Sequence, residues 1–504
     1  MMRALLLVVL LLGPVAVYWQ TVFHEYGFRD DYAHLREVRE DPGKLTRLTA
    51  SNGRPIYGVV LEASLRHVFS VPDLSRLRLL SVVLLAVVGV ALWQLLRRRG
   101  WSEGEAAAIG VAVTLLPGAQ VVVGWAIAWP IALGLLAAVL GFWLVDAHLG
   151  LRGPRAAAGL LGGAGLYFVA GLIYQTSALF AVALLAAVLL TRRDDTFTAD
   201  FRFVTLHIGI LFVSLVAGYL LMTFAFTEGV VPEAARMHLE PEMLKKLGWF
   251  LRQPLPNSLA LFELRDRFAT QPQFWAALGA FAALVAAGYR YGGSGAAHKR
   301  RWWFCLLALP FVAHSVSIAA SSQAIGYRTV LPLSGLFLVL VVFGLRGWRR
   351  AGGLPARAAA GVLVALVLFA AVLANRNSFT LIAVPQHREW QLVRSSANAL
   401  PLDASTSVYI VRPQIEDRST DRVYADEFGS LSADADWAAK EMFKTAMRQR
   451  FQGRVPDGGG YEIYTGLVAP PAPGRYDLVL DMRALRISGR RVLAAAASTV
   501  TSLR

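Results

Sequence analysis

Asp30 and Asp31 stand side by side in the run Arg29-Asp30-Asp31-Tyr32, just past the first apolar stretch. Asn52-Gly53-Arg54-Pro55 follows in the same polar segment. Two like charges this close repel, and partial desolvation at a membrane face raises the cost. Such a pair is more easily explained by chemistry than by stability. Group transfer to a hydroxyl at a membrane surface needs a base to take the hydroxyl proton as the leaving phosphate departs. Asp30 or Asp31 serves as that base, and the other orients it or grips a metal or sugar. The plainer reading is a solvated loop start, and the position directly after the first helix weighs against it.

The cations that such chemistry needs come from two places. Arg54 lies between Gly53, which permits an unusual turn, and Pro55, which fixes the next φ. Its guanidinium, held on a stiff backbone, suits bidentate phosphate contact. An interfacial arginine snorkelling to headgroups is the alternative. Tyr57 is grouped with Arg54 for substrate binding. Arg328 closes the run Ser321-Ser322-Gln323-Ala324-Ile325-Gly326-Tyr327-Arg328 between two apolar stretches. It falls on the side where the other loops carry few cations, so it reads as a phosphate ligand or as a helix-end anchor. Tyr174-Gln175 sits in a turn between two short apolar runs, where a phenol and an amide hydrogen-bond either a sugar or loose backbone groups. His24, Glu25, Glu62, Lys245 and Lys246 read as surface residues. His314 reads as a satisfied core histidine, and Trp125 and Trp129 as interfacial belt residues. No phosphate-loop, HExxH, GxSxG or CxxC pattern occurs in a plausible setting, so an energised donor must arrive from elsewhere.

The elements that must position these residues are apolar helices. The chain has 504 residues, 56% hydrophobic and only 17% charged, with a mean hydropathy of +0.49. That composition excludes an ordinary soluble domain and, with recurring apolar runs near the length of a bilayer crossing, predicts an all-α polytopic membrane protein. About eleven spans are expected, near 3–22, 78–96, 106–122, 127–145, 156–172, 176–191, 203–224, 273–289, 302–320, 329–345 and 359–376. The first reads as a retained helix, because it runs into Val17-Tyr18-Trp19 with no clear cleavage site. The formal charge of +16 does not signal nucleic acid. Its excess sits in short loops at Arg97-Arg98-Arg99, Arg152 and Arg155, Arg192-Arg193, Lys299-Arg300-Arg301, and Arg346 with Arg349 and Arg350. Every second loop is basic, which places the N-terminus in the cytoplasm and the C-terminus outside. The lone cysteine, Cys305, permits no disulfide framework within one chain.

Two domains are expected. Residues 1–377 form the transmembrane unit, with large extracytoplasmic loops at 23–77 and 225–272. Residues 378–504 form a small soluble α/β domain on the outer face. Within it Ser407–Val411, Tyr461–Tyr464 and Tyr476–Leu480 read as strands. Asp434 to Arg450 reads as a helix with acids at its start and bases at its end.

Taken together, Asp30-Asp31-Tyr32 after the first span, Gly53-Arg54 before the second, Tyr174-Gln175 mid-chain and Arg328-Thr329-Val330-Leu331-Pro332 before a late span resemble the GT-C integral-membrane glycosyltransferases. The nearest likeness is to the bacterial Gtr-type group that adds glucose to O-antigen. It covers roughly residues 1–380. The resemblance implies a polyprenyl-phosphate sugar donor, an extracytoplasmic glycan or lipid-linked acceptor, and a home in the bacterial inner membrane. Some relatives use a divalent cation beside the acidic pair and others do not. With two acids and no obvious third ligand, no metal or other cofactor is expected. The rivals are a transporter or flippase, a polysaccharide polymerase or ligase, and a membrane scaffold. Transport would want charged or broken helices at mid-membrane, whereas polar residues here gather on one face.

Overall fold

A computed structural model describes residues 2–193, 196–266, 271–293, 295–323, 326–350, 356–400, 406–413, 424, 427–451, 461–469, 472 and 475–486. Ala324 and Ile325 of the Arg328 run, and the tail beyond 486, lie outside the described residues.

Helices dominate because long apolar stretches can satisfy their own backbone groups in lipid only by coiling. The chain opens with α1 (Met2–Phe23), followed by three short helices, α2 (Asp30–Glu40), α3 (Lys44–Ser51) and α4 (Pro55–Leu65). Then come α5 (Leu74–Arg98), α6 (Glu103–Val113), α7 (Pro117–Gly124), α8 (Trp129–His148), α9 (Pro154–Ile173), α10 (Gln175–Ala178), α11 (Ala181–Thr191) and α12 (Phe197–Thr227). A loop bearing α13 (Met243–Arg252) and α14 (Pro254–Leu259) leads to α15 (Pro272–Tyr291), α16 (Ala296–Trp303), α17 (Leu309–Ala313), α18 (Ser315–Ala319) and α19 (Leu331–Arg350). The last segments are α20 (Ala356–Asn377), α21 (Val384–Ala399) and α22 (Asp436–Arg450). Side chains such as Leu12, Phe212, Val213, Leu220, Leu368 and Val372 stay exposed on α1, α12 and α20. In water such an apolar belt would be a liability; against acyl chains it is the expected surface.

The span count differs from the expected eleven. Among the described residues eight helices are long and apolar enough to cross a membrane, and nine if the bent α6–α7 pair is one span. That pair bends by 49°, where Pro117 opens the second helix. The expected span 176–191 is interrupted between α10 and α11, and the expected span 302–320 is broken by a π-turn at Phe304–Ala308 and again at His314. Where helices do cross, contact is close. A methyl group on Gly89 of α5 would lie 2.9 Å from the Gly110 carbonyl oxygen of α6, so only glycine admits this approach.

The C-terminal unit has the expected elements. β1 (Thr406–Val411) lies between β2 (Tyr461–Gly466) and β3 (Leu478–Asp481), both parallel to it. α22 supplies the crossover between β1 and β2, as parallel pairing requires. The boundary at 377 differs in kind from a linker. One helical run of 43 residues, Arg357–Ala399, carries the last span straight into this unit, with a π-turn at Ser378–Ala383. α1 is tied to it by Thr21–Ser378 and by Asn375 donating to the Val17 carbonyl, at 2.9 and 2.7 Å.

Candidate functional site

Two adjacent aspartates have opposite surroundings. Arg29, the N-cap of α2, holds φ 46° and ψ −107°, a conformation that costs a side-chain-bearing residue on the order of 1–3 kcal/mol. The turn sends Asp31 inward and leaves Asp30 half-buried. Asp31 is fully buried. It accepts from the backbone N–H of Phe28 at 2.8 Å and of Ile127 at 3.1 Å. Burial raises its pKa to about 7, offset in part by those two N–H groups and by Arg78, and helped by Asp30. Arg78, itself buried, donates to the carbonyls of Val22, His24 and Tyr26 and so pins the turn leaving α1. Tyr57 donates to the Ile127 carbonyl at 2.6 Å. Asp31 and Tyr57 therefore grip the two sides of one peptide segment between α7 and α8.

Asp30 instead faces a cavity of about 680 Å³. Its carboxylate has no hydrogen-bond or ion-pair partner among the described residues. The same cavity is lined by Arg54, Tyr174, Gln175 and Arg328. Five of the seven residues singled out from sequence thus meet in one place, while Asp31 and Tyr57 do not line it.

Local geometry explains how the cations get there. Tyr174 breaks the helix between α9 and α10 with an extended φ of −157°, and Gln175 folds back across the break. Gln175 accepts from Arg54 Nε at 3.1 Å and donates to the Gly53 carbonyl at 2.9 Å. The Arg54 guanidinium lies 4.4 Å from the centre of the Tyr174 ring, a cation–π contact. Gly53 has φ +73°, and a Cβ there would come within 2.6 Å of Met237 Sδ. The positive φ favours glycine, while the crowding comes only from the ends of flexible side chains. Arg328 lies over the Trp125 ring at 4.6 Å and pairs with Glu427, a fully buried residue of the C-terminal unit.

Away from this charged end the cavity wall is apolar. Leu172, Phe212, Leu215, Val216, Tyr219 and Met222 line it, and Phe212 and Tyr219 of α12 are 59% and 38% exposed. The cavity thus holds two guanidinium groups and an apolar wall of α12.

The remaining candidates do other things. Glu25 accepts from Trp390 and Arg394. Glu62 accepts from the N–H groups of Gly43 and Thr46, and these bonds, against burial, hold its pKa below the usual carboxylate range. Lys246 is buried, donates to the Ser322 carbonyl and lies over Trp249. His314 is buried beside Trp249 and Phe250, and neither ring nitrogen has a partner among the described residues. Trp129 donates to Ser64. Among the described residues no group of three or more His, Cys, Asp and Glu side chains is placed to hold a metal ion. Sequence reasoning passed over Arg29, Met237 and Trp437 as cavity residues and Glu427 as the partner of Arg328. Arg29 was signalled by its place beside the acids. The others carry no local pattern.

No family description matches the chain, and no curated protein matches it. Among solved structures it is similar to the archaeal oligosaccharyltransferase AglB from Archaeoglobus fulgidus, in complex with an inhibitory peptide and a dolichol-phosphate, at 12% identity and a TM-score of 0.45. That match covers 90% of this chain and 64% of the other, so the chain spans about two thirds of that protein's length. It is also similar to ArnT from Cupriavidus metallidurans bound to undecaprenyl phosphate, at 13% identity and a TM-score of 0.42. That match covers 90% of this chain and 89% of the other.

Proposed function

We propose that the protein transfers a sugar from a polyprenyl-phosphate-linked donor to an extracytoplasmic glycan or lipid-linked acceptor, with Asp30 as the base. One observation carries this reading: a carboxylate without a partner among the described residues shares a cavity with Arg54 and Arg328, and that cavity ends in the apolar wall of α12. A donor with a charged phosphate and a greasy tail needs that pairing of surfaces.

In the reaction, Asp30 takes the acceptor hydroxyl proton while the acceptor oxygen attacks the anomeric carbon. The bond from that carbon to the phosphate oxygen breaks, and the phosphate leaves with the electron pair. Arg54 and Arg328 offset the charge that develops on it. A single displacement inverts the anomeric centre. Asp31, protonated or charged, supports the peptide at Ile127 and acts only through structure. In this reading the cavity faces outward and the arginine-rich loops face the cytoplasm of a bacterial inner membrane.

Transfer of radiolabelled sugar from polyprenyl phosphate by purified protein tests the assignment. Asp30→Asn removes transfer while the protein stays folded. Asp31→Asn loses transfer only in step with folded protein. Full activity in Asp30→Asn overturns the proposal. Product with retained anomeric configuration overturns the single displacement.

A further inference from the structure

Trp437 of α22 lines the cavity directly, and one short, buried stretch of the C-terminal unit holds two other residues of its lining, Arg29 and Arg328. Glu427, Phe428, Ser430, Leu431, Ser432 and Ala433 are all buried. The stretch touches both charged walls. At one end Glu427 pairs with Arg328 and accepts from the backbone N–H of Tyr327 at 3.2 Å. Phe428 packs edge-on against Tyr327, with ring centres 5.4 Å apart. At the other end the Ser432 hydroxyl accepts from the backbone N–H of Arg29 at 2.8 Å, and Ser430 accepts from the Arg29 guanidinium at 3.3 Å.

Ser432 is itself held. Its hydroxyl donates to Gln386 Oε1 at 2.5 Å, and Gln386 Nε2 donates to the Ser430 carbonyl at 2.7 Å. Glu389, fully buried, accepts from the N–H groups of Ser432 and Ala433 at 2.8 and 3.0 Å. Gln386 and Glu389 belong to α21, the continuation of the last span. Arg29 is the strained residue immediately before Asp30. A strained conformation persists only where neighbours over-determine it, and one such neighbour here is a serine some four hundred residues away in sequence.

We propose that residues 427–433 form a clasp that sets the geometry of both charged walls, and that it does so by two separable contacts. Ser432 positions the turn from which Asp30 projects. Glu427 orients the Arg328 guanidinium. Neither touches the reacting atoms; both are positioning residues, and their roles rest on the transferase reading given above. The C-terminal unit is thereby part of the catalytic apparatus.

The two contacts predict different kinetic signatures in the full-length protein. Ser432→Ala leaves the Arg29 N–H without its acceptor and lowers kcat about tenfold, with donor KM within about twofold of wild type. Gln386→Ala, which frees the Ser432 hydroxyl to turn away, gives the same split to a smaller extent. Glu427→Ala raises donor KM about tenfold with kcat little changed, because the phosphate ligand loses its orientation. Glu427→Gln keeps one acceptor oxygen, enough for Arg328 or for the Tyr327 N–H but not for both, and returns KM part of the way. A merely structural role moves kcat in step with the amount of folded protein in every variant and leaves KM alone; that outcome overturns the clasp. Wild-type transfer with all variants matching it also overturns the clasp alone. Wild-type protein that transfers no sugar from a polyprenyl phosphate defeats the transferase reading, and this assignment with it.

Discussion

The two ends of the helical bundle treat charge in opposite ways. At the arginine-rich end, acids and bases are spent on each other. Arg346 makes a two-pronged contact with Glu105, and the two side chains keep only 6% and 5% of their surface exposed. Arg301 binds Asp200 at 2.8 Å and the Arg192 carbonyl at 2.8 Å. Arg99 reaches Asp146. Four of the five basic clusters take part in these contacts. At the cavity end Asp30 has no partner among the described residues, and Arg54 and Arg328 sit on aromatic rings at the cavity wall. A pair buried away from the cavity holds the fold together, whereas Arg328, though paired with Glu427, still lines the cavity. An acid kept apart from its nearby bases keeps its chemistry.

Substitutions at the two ends should therefore separate activity from stability. The largest effect is expected at Asp30. Asn there lowers kcat on the order of a thousandfold, as loss of a general base does, with the midpoint of thermal unfolding in detergent unchanged. Glu105→Gln reverses the pattern. It leaves Arg346 buried without its counter-charge and costs about 3–5 kcal/mol of stability, read by denaturant unfolding, while kcat per folded molecule stays at the wild-type value. A fall in kcat per folded molecule for Glu105→Gln would break the comparison.

Asp31 sharpens it. Asp31→Asn replaces one acceptor oxygen by a donor facing an N–H, which costs about 1–3 kcal/mol, measured by the same unfolding. Because burial raises the Asp31 pKa from 3.8 to about 7, its folded form holds a proton that the unfolded chain releases. Its contribution to stability is full below about pH 4 and is lost as pH rises through about 7. Wild-type melting temperature should fall across that interval, and the Asp31→Asn variant should show a flatter profile. The smallest effect is expected at Tyr57. Tyr57→Phe removes one hydrogen bond to Ile127, worth about 1 kcal/mol, and leaves donor KM unchanged in the transfer assay.

Much of this was legible in the sequence. Apolar runs gave the helices. The break at Tyr174 falls in the Tyr-Gln-Thr turn expected from an apolar stretch too long for one span. β1 to β3 and α22 fall where alternation and end charges indicated. Arg54 came forward because Gly53 and Pro55 flank it, and the structure gives Gly53 the positive φ that such a turn requires. What stayed hidden is equally specific. Asp30 and Asp31 are identical in chemistry and adjacent in sequence, so no local pattern tells which one turns inward. Tyr57, grouped with Arg54 for substrate binding, donates to the Ile127 carbonyl, a contact that no local pattern indicates. The broken segment 302–320 reads as a continuous apolar run, because hydropathy counts side chains and not the backbone turns that interrupt them.

By itself the sequence determined what is written locally: which stretches are apolar enough for a membrane, where helices begin, and which charged residues stand outside them. Only the tertiary structure decided which aspartate meets the cavity and which cation each acid satisfies. It alone brought Ser432 and Glu427 beside residues distant in the chain. The physical reason is that hydropathy and turn preference act over a few neighbouring residues. The fate of a buried charge is set by whatever packing brings within hydrogen-bond reach.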